Sequence, residues 1–241
     1  MKTCWRNLVI PLFFLVLAGC SLSADENGFW VFSESFDFNE GQFDWEVDFT
    51  DYPAGTEDST FYELTYAYTK VPANLGVGYS MMLSGNNHSD DLFMFMKKKI
   101  TGLTPNTTYA IVYDVELASN AKAGEFGVGG APGESVYLKG GASGVEPVKI
   151  VEDNCFKLNV DKGNQSAYGD TSVVLGDISV PSSADGYTLI SRNNAATDDI
   201  PLTVPSNSLG EIWLFIGTDS GFEGTTTVYY TKVNVVFSAS N

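Results

Sequence analysis

Apolar and polar residues alternate strictly along much of the chain after residue 29. A period of two places successive side chains on opposite faces of a β-strand, so each such stretch predicts a strand with one buried face. The alternating apolar positions are Phe43, Trp45, Val47 and Phe49; Tyr62, Leu64, Tyr66 and Tyr68; Val77, Tyr79, Met81 and Leu83; Tyr109, Ile111, Tyr113, Val115 and Leu117; and Tyr229, Thr231, Val233, Val235 and Phe237. This pattern is typical of antiparallel sheets that cover a core on one side and face water on the other.

Two segments are apolar on both faces. They read LFMFM at 92–96 and IWLFI at 212–216, and we expect them to be interior strands, with Trp213 in the core. No stretch shows a helical period, and turns rich in Gly, Asn and Asp separate the apolar stretches. The chain is therefore predicted to be all-β. A single domain is the simplest interpretation, and a division within 140–150 is the alternative.

The first twenty residues differ from the rest. Lys2 and Arg6 precede an uncharged apolar run over residues 8–18, which indicates a secretory signal and is too short for a relaxed membrane helix. The run ends in L-A-G-C, residues 17–20, and resembles the bacterial lipobox. The resemblance implies a signal peptide at 1–19, cleavage before Cys20, an acyl anchor such as palmitate on that residue, and a short tether over 20–28. Ser21 at the next position implies the outer membrane of a two-membrane bacterium.

The charge and the cysteine content of the chain limit the kinds of partner and cross-link that it can form. The net charge of −17 and the pI of 4.2 exclude nucleic acid, which requires a basic surface. They also disfavour adsorption to anionic lipid, so attachment to the membrane is assigned to the lipid on Cys20. Of three cysteines, Cys4 lies in the signal segment, which leaves Cys155 without a partner for an internal disulfide.

Two segments resemble a known architecture. FDFNEGQFDW at 36–45 and the stretch at 219–237 are similar to the first and the closing strands of the jelly-roll sandwiches found in carbohydrate-binding modules of the galactose-binding-like group. The resemblance implies that residues 29–241 form one antiparallel β-sandwich of jelly-roll type. It also implies a structural Ca²⁺ near the chain ends. Its candidate ligands are Asp37 (or Glu34), Asp219 and Glu223, although Thr231 stands where that group usually has an acidic residue.

Candidate binding and catalytic residues lead to three functional hypotheses. Aromatic rings stack on sugars, and Trp45, Tyr62 and Tyr66 are the candidates for glycan contact. The single histidine, His88, and the absence of a G-x-S-x-G sequence argue against a Ser–His–Asp hydrolase, but thirty acidic residues leave a carboxylate pair open. We therefore predict a membrane-anchored lipoprotein with a protein-interaction or envelope-structural role. The first alternative is a glycan-binding β-sandwich module, and the second is a carboxylate-based carbohydrate-active enzyme. The candidate partners, besides the membrane, are an extracellular glycan and an envelope protein.

Overall fold

The computed structural model describes residues 21–24, 30–55, 60–195 and 201–239. The predicted signal peptide, Cys20 and the tether residues 25–28 lie outside these ranges. Within them, no helix combines the length and apolar character needed to cross a membrane.

Strands make up nearly all the regular structure. A short 3-10 turn spans Ala73–Leu75. The strands are β1 Ser21–Ala24, β2 Trp30–Asp37, β3 Glu46–Thr50, β4 Tyr52–Pro53, β5 Thr65–Lys70, β6 Tyr79–Asn86, β7 Leu92–Ile100, β8 Thr108–Ser119, β9 Val136–Ser143, β10 Lys149–Glu152, β11 Cys155–Leu158, β12 Ser172–Asp177, β13 Thr188–Asn193, β14 Thr203–Pro205, β15 Ile212–Ser220 and β16 Thr225–Ala239.

The strands form two large antiparallel sheets and one small sheet. In the eight-stranded sheet, the long β16 pairs with β6 and then β2 along one side and with β8 along the other. β5 and β1 lie outside β6 and β2, and β13 and β14 lie outside β8. The five-stranded sheet has the order β12-β9-β15-β7-β3. The chain is thus an antiparallel β-sandwich of jelly-roll type, as the sequence predicts.

One hydrophobic core lies between the two large sheets and includes side chains from Phe32 to Ala239. The alternation predicted for β8 is confirmed, because its five apolar positions from Tyr109 to Leu117 are all buried. In β16 the predicted face changes at a β-bulge, where the pairing with β8 shifts between Tyr230 and Lys232. Because of this extra residue, Tyr230 rather than Tyr229 faces the core.

The five-stranded sheet also buries part of its outer face, which accounts for the doubly apolar segments. In β7, Leu92, Met94 and Met96 join the main core. A second cluster on the other side contains Phe93, Phe95 and Phe215, packed against Leu158 and Val160. The covering layer is the small sheet β10-β11-β4 and the connection from β11 to β12. Trp213 departs from the prediction, since it is only half-buried on this outer face.

The beginning of the predicted tether also departs from expectation. Ser21–Ala24 forms a strand, β1, that pairs antiparallel with Trp30 to Ser33 of β2. Part of the segment predicted to be a spacer therefore extends the eight-stranded sheet.

Candidate functional site

A polar cleft opens beside the covered outer face of the five-stranded sheet. It has a volume of about 420 Å³ and lies between the start of β7 and the β11 to β12 connection. Its wall contains carboxylates, lysines, amides and apolar side chains from Asp51, Asp91, Ile150, Glu152, Lys157, Leu158, Asn159, Val160, Asp161, Lys162 and Asn164. This volume is within the range of small-molecule sites. We call it the outer cleft.

A buried ion cluster supports the floor of the outer cleft. Asp219 of β15 is completely buried, and its Oδ2 lies 2.8 Å from Nζ of Lys162 and 3.4 Å from Nζ of Lys139. The same oxygen accepts a hydrogen bond from the backbone N–H of Gln165 at 2.8 Å. Since isolated charges are costly to bury, each ammonium group can stay buried only with the carboxylate beside it, and the carboxylate only with the ammonium groups.

Lys139 connects the sheet to its covering loop. Its side chain is fully buried, and Nζ donates hydrogen bonds to the carbonyl oxygens of Lys162 at 2.7 Å and Ala167 at 2.8 Å. Burial lowers the pKa of Lys139, and the nearby carboxylate of Asp219 opposes that shift. The hydrogen bonds hold the 162–167 segment against β9 and thus fix one wall of the cleft.

Lys162 joins the cluster to the cleft surface. Its Nζ lies 3.0 Å from Oδ2 of Asp51, in addition to its bond with Asp219, and sits 5.0 Å from the ring centre of Phe93. Burial by itself lowers the pKa of Lys162, but the carboxylates of Asp219 and Asp51 outweigh burial and raise it. Asp51 has a left-handed backbone with φ of 64°, an uncommon conformation that the cluster holds in place.

Asp91 is the most perturbed acid in the outer cleft. Its Oδ1 is buried and has no hydrogen-bond partner among the described residues. Burial raises its pKa to about 7, and the carboxylates of Asp219 and Asp51 add to the rise while Lys162 opposes it. At neutral pH this carboxyl is therefore present in both forms and can donate or accept a hydrogen bond.

The pKa of Asp161, another acid of the outer cleft, is shifted in the opposite direction from that of Asp91. Its carboxylate accepts hydrogen bonds from the backbone N–H groups of Gly163 and Asp170, each at 2.9 Å. These two donors lower the pKa of Asp161, because hydrogen bonds to the charged form favour it. The cleft thus combines one acid that remains ionised with another that titrates near neutrality.

The predicted glycan-contact residues are not in the outer cleft. Trp45 and Tyr62 are each only 2% exposed, so the prediction that they stack on a ligand is wrong. Trp45 packs edge-on against Phe36, with ring centres 5.4 Å apart, and Tyr62 packs against Tyr52 at 5.1 Å. Both serve the core, because large rings at alternating positions are the ones a sandwich buries. Tyr66 is 53% exposed, but it lies on the edge strand β5.

The predicted calcium ligands do not converge. Asp219 is paired through its Oδ2 atom with Lys139 and Lys162. Asp37 caps a local turn by accepting two hydrogen bonds from Asn39, and Glu223 is exposed in a loop. Within the part of the chain that the structure describes, no three His, Cys, Asp or Glu residues form a metal-binding group. Calcium, with Asp37, Asp219 and Glu223 as its ligands, stays a prediction from the sequence.

Sequence reasoning missed the residues that organise the site. Lys139 has one visible signal, because it is the single charge in the otherwise uncharged strand VYLKGGAS. Asp51, Asp91 and Lys162 have no comparable signal, since they are scattered among ordinary acidic turns. They come together only when the 159–171 loop folds back over the sheet.

The chain is similar to several solved structures at low sequence identity. No protein-family model matches it, and no curated protein matches it. Among solved structures it resembles a carbohydrate-binding module studied for mannan recognition, with 12% identity over 91% of this chain and 98% of that chain and a TM-score of 0.35. It also resembles the family 11 carbohydrate-binding module from Clostridium thermocellum in complex with a mixed-linked tetrasaccharide, with 12% identity over 83% of this chain and 94% of that chain and a TM-score of 0.36. A third similar structure is the K1 cleaved adhesin domain of Lys-gingipain from Porphyromonas gingivalis, with 11% identity over 84% of this chain and 96% of that chain and a TM-score of 0.37.

Proposed function

We propose that this protein is a glycan-binding module of the bacterial cell envelope and that its ligand occupies the outer cleft. The observation that carries the proposal is the composition of the cleft wall. Carboxylates, amides and lysines surround a space of about 420 Å³, and these groups together form hydrogen bonds with a polyhydroxylated ligand.

The charges of the cleft favour an uncharged or amino-bearing glycan. Four carboxylates and two lysines line it, and Lys162 is already paired with Asp51 and Asp219. Uronates and sulfated glycans would meet net negative charge. Leu158 and Val160 add apolar surface for the C–H faces of a sugar ring, although the aromatic platform predicted from the sequence is absent from this wall among the described residues.

Binding measurements on the full-length protein in detergent test the proposal. A glycan array identifies ligands, and calorimetry on the strongest hit measures affinity. Glu152 and Asn164 are exposed wall residues, so we expect Glu152→Gln with Asn164→Ala to weaken binding about tenfold or more without unfolding. Glu40→Gln, an exposed glutamate outside the cleft, is the matched control. Absence of any glycan ligand, or equal affinity in the double variant, would refute the proposal. Turnover of a bound glycan would instead support the enzyme alternative.

We further propose that the module is anchored through lipid on Cys20 in the outer membrane. The L-A-G-C sequence at 17–20 and Ser21 support this proposal. Mass spectrometry of the mature N-terminus should show an acylated Cys20, and Cys20→Ser should release the protein from membranes. An unmodified terminus at another residue, or a membrane-bound Cys20→Ser protein, would overturn it.

A further inference from the structure

A second pocket opens between the two large sheets. It has a volume of about 310 Å³ and is lined by Glu34 and Phe36 of β2, Lys98 of β7, and Phe43 and Asp44 of the turn before β3. We call it the seam pocket. Its wall shares no residue with that of the outer cleft.

Two charged side chains occupy positions that normally belong to the core. Glu34 lies between the buried Phe32 and Phe36 on β2, and Lys98 lies between the buried Met96 and Ile100 on β7. Because side chains alternate along a strand, both charged groups point toward the space between the sheets. A sandwich that needed only stability would place apolar residues there.

Both charges are incompletely satisfied. The Lys98 ammonium donates one hydrogen bond, to the carbonyl oxygen of Phe43, and has no salt bridge within the described ranges. The Glu34 carboxylate has neither a hydrogen bond nor a salt bridge among the same residues. Burial raises the pKa of Glu34 and lowers that of Lys98, as expected for groups whose lost hydration is not replaced. Two ammonium protons and the carboxylate oxygens remain available to a ligand.

An aromatic wall completes the pocket. The rings of Phe36 and Phe43 pack edge-to-face with centres 5.7 Å apart, and the Lys98 ammonium lies 5.5 Å from the Phe36 ring centre. Phe43 and Asp44 both have left-handed backbones with φ of 56°. Such a conformation is costly for phenylalanine and persists where the surroundings require it. Here it turns the Phe43 carbonyl toward Lys98.

From these features we infer that the seam pocket is a second ligand site, which takes a single uncharged sugar residue or a polyol of similar size. One hydroxyl of a vicinal pair donates to Glu34 while its neighbour accepts from Lys98, and the C–H face of the ring packs against the aromatic wall. The carboxylates of Glu34 and Asp44 balance the ammonium groups of Lys98 and Lys99, so a neutral ligand leaves no charge uncompensated. The inference does not depend on a glycan bound in the outer cleft.

Saturation-transfer NMR on the full-length protein in detergent provides the test, with D-glucose, D-galactose and D-mannose as probes. We expect at least one sugar to bind, and its affinity to fall about tenfold or more in both Lys98→Met and Glu34→Gln. Lys70→Met, which replaces an exposed lysine on β5 outside both pockets, should leave it unchanged. Failure of all three sugars to bind, or binding that both seam variants retain, would overturn the inference.

A second measurement needs no variant and is independent of any folding defect. Titration of the wild-type protein with the bound sugar should shift the backbone amide resonances of Phe43, Asp44 and Thr101, which surround the seam pocket. Shifts confined to Glu152 and Asn164 would place the sugar in the outer cleft and overturn the inference. The same result would support the proposed function, so the two proposals fail separately.

Discussion

The inside of the sandwich and the outer face of its five-stranded sheet are both buried, but different chemistry stabilises them. Between the sheets, apolar side chains such as Leu214, Val235 and Met96 are completely buried. On the outer face, Lys139 and Asp219 are also completely buried, yet they are charged. Burial of apolar area stabilises the first region in proportion to the area removed from water. The second region is stable only while its buried charges stay paired. Equal burial therefore does not imply equal tolerance of substitution or of pH.

The largest effect expected from this difference follows removal of the central carboxylate. Asp219→Ala leaves the ammonium groups of Lys139 and Lys162 buried without it, and we expect a loss of about 3–5 kcal/mol in the free energy of unfolding. Urea denaturation measures it. Asp185→Ala, at an exposed position, is the control and should change stability by less than about 0.5 kcal/mol. An Asp219→Ala protein as stable as the control would show that the ion cluster does not hold the loop.

Truncation in the apolar region should cost a similar amount but behave differently with pH. Leu214→Ala removes a fully buried side chain, and we expect a loss of about 2–5 kcal/mol. No titratable partner is involved, so the loss should be equal at pH 5 and pH 8 in urea denaturation. A loss that varies with pH would mean that the two regions are coupled.

The titration of Asp91 should make the stability of the outer face depend on pH, unlike that of the apolar core. Its pKa is about 7 in the folded protein against an ordinary 3.8, so the folded state binds the proton more tightly than the unfolded chain. Stability is therefore lost as the pH rises from about 4 through about 7, and no penalty exists below the unfolded pKa. Asp91→Asn removes the ionisation, and we expect a gain of about 1–3 kcal/mol at pH 8, since partial exposure reduces the full linkage value.

Paired urea denaturation curves at pH 4 and pH 8 measure that difference. The gain of Asp91→Asn over the wild type should fall to a small fraction of its pH 8 value at pH 4, where the folded carboxyl is protonated and the unfolded one is only about half ionised. Asp185→Asn controls for the general effect of removing a negative charge from an acidic protein. A gain of equal size at both pH values would contradict the assignment of the raised pKa to Asp91.

The smallest expected effect concerns Tyr66, the exposed member of the predicted aromatic set. It lies on the edge strand β5, away from both pockets. Tyr66→Ala should change the free energy of unfolding by less than about 0.5 kcal/mol and leave the affinity for any outer-cleft glycan unchanged in calorimetry. A large loss of binding would move the ligand site to the β5 edge and support the original aromatic hypothesis.

The sequence by itself determined the sandwich. Alternation over 109–117 predicts β8 with the correct buried face, because the two-residue period of a strand is a local property. The doubly apolar segments 92–96 and 212–216 likewise predict interior strands, and β7 and β15 each have neighbours on both sides. Aromatic content was misleading for Trp45 and Tyr62, since the same residue types fill cores and bind sugars.

Only the tertiary structure decided the chemistry of the two pockets. Asp51, Asp91, Lys162 and Asp219 are far apart in the sequence, and no local pattern indicates that one loop closes over the sheet and pairs their charges. Glu34 and Lys98 come from different sheets and face one seam pocket only after the sandwich closes. The physical reason is the distance along the chain over which each interaction acts. Backbone periodicity acts between neighbouring residues, whereas burial, desolvation and ion pairing depend on which distant segments meet.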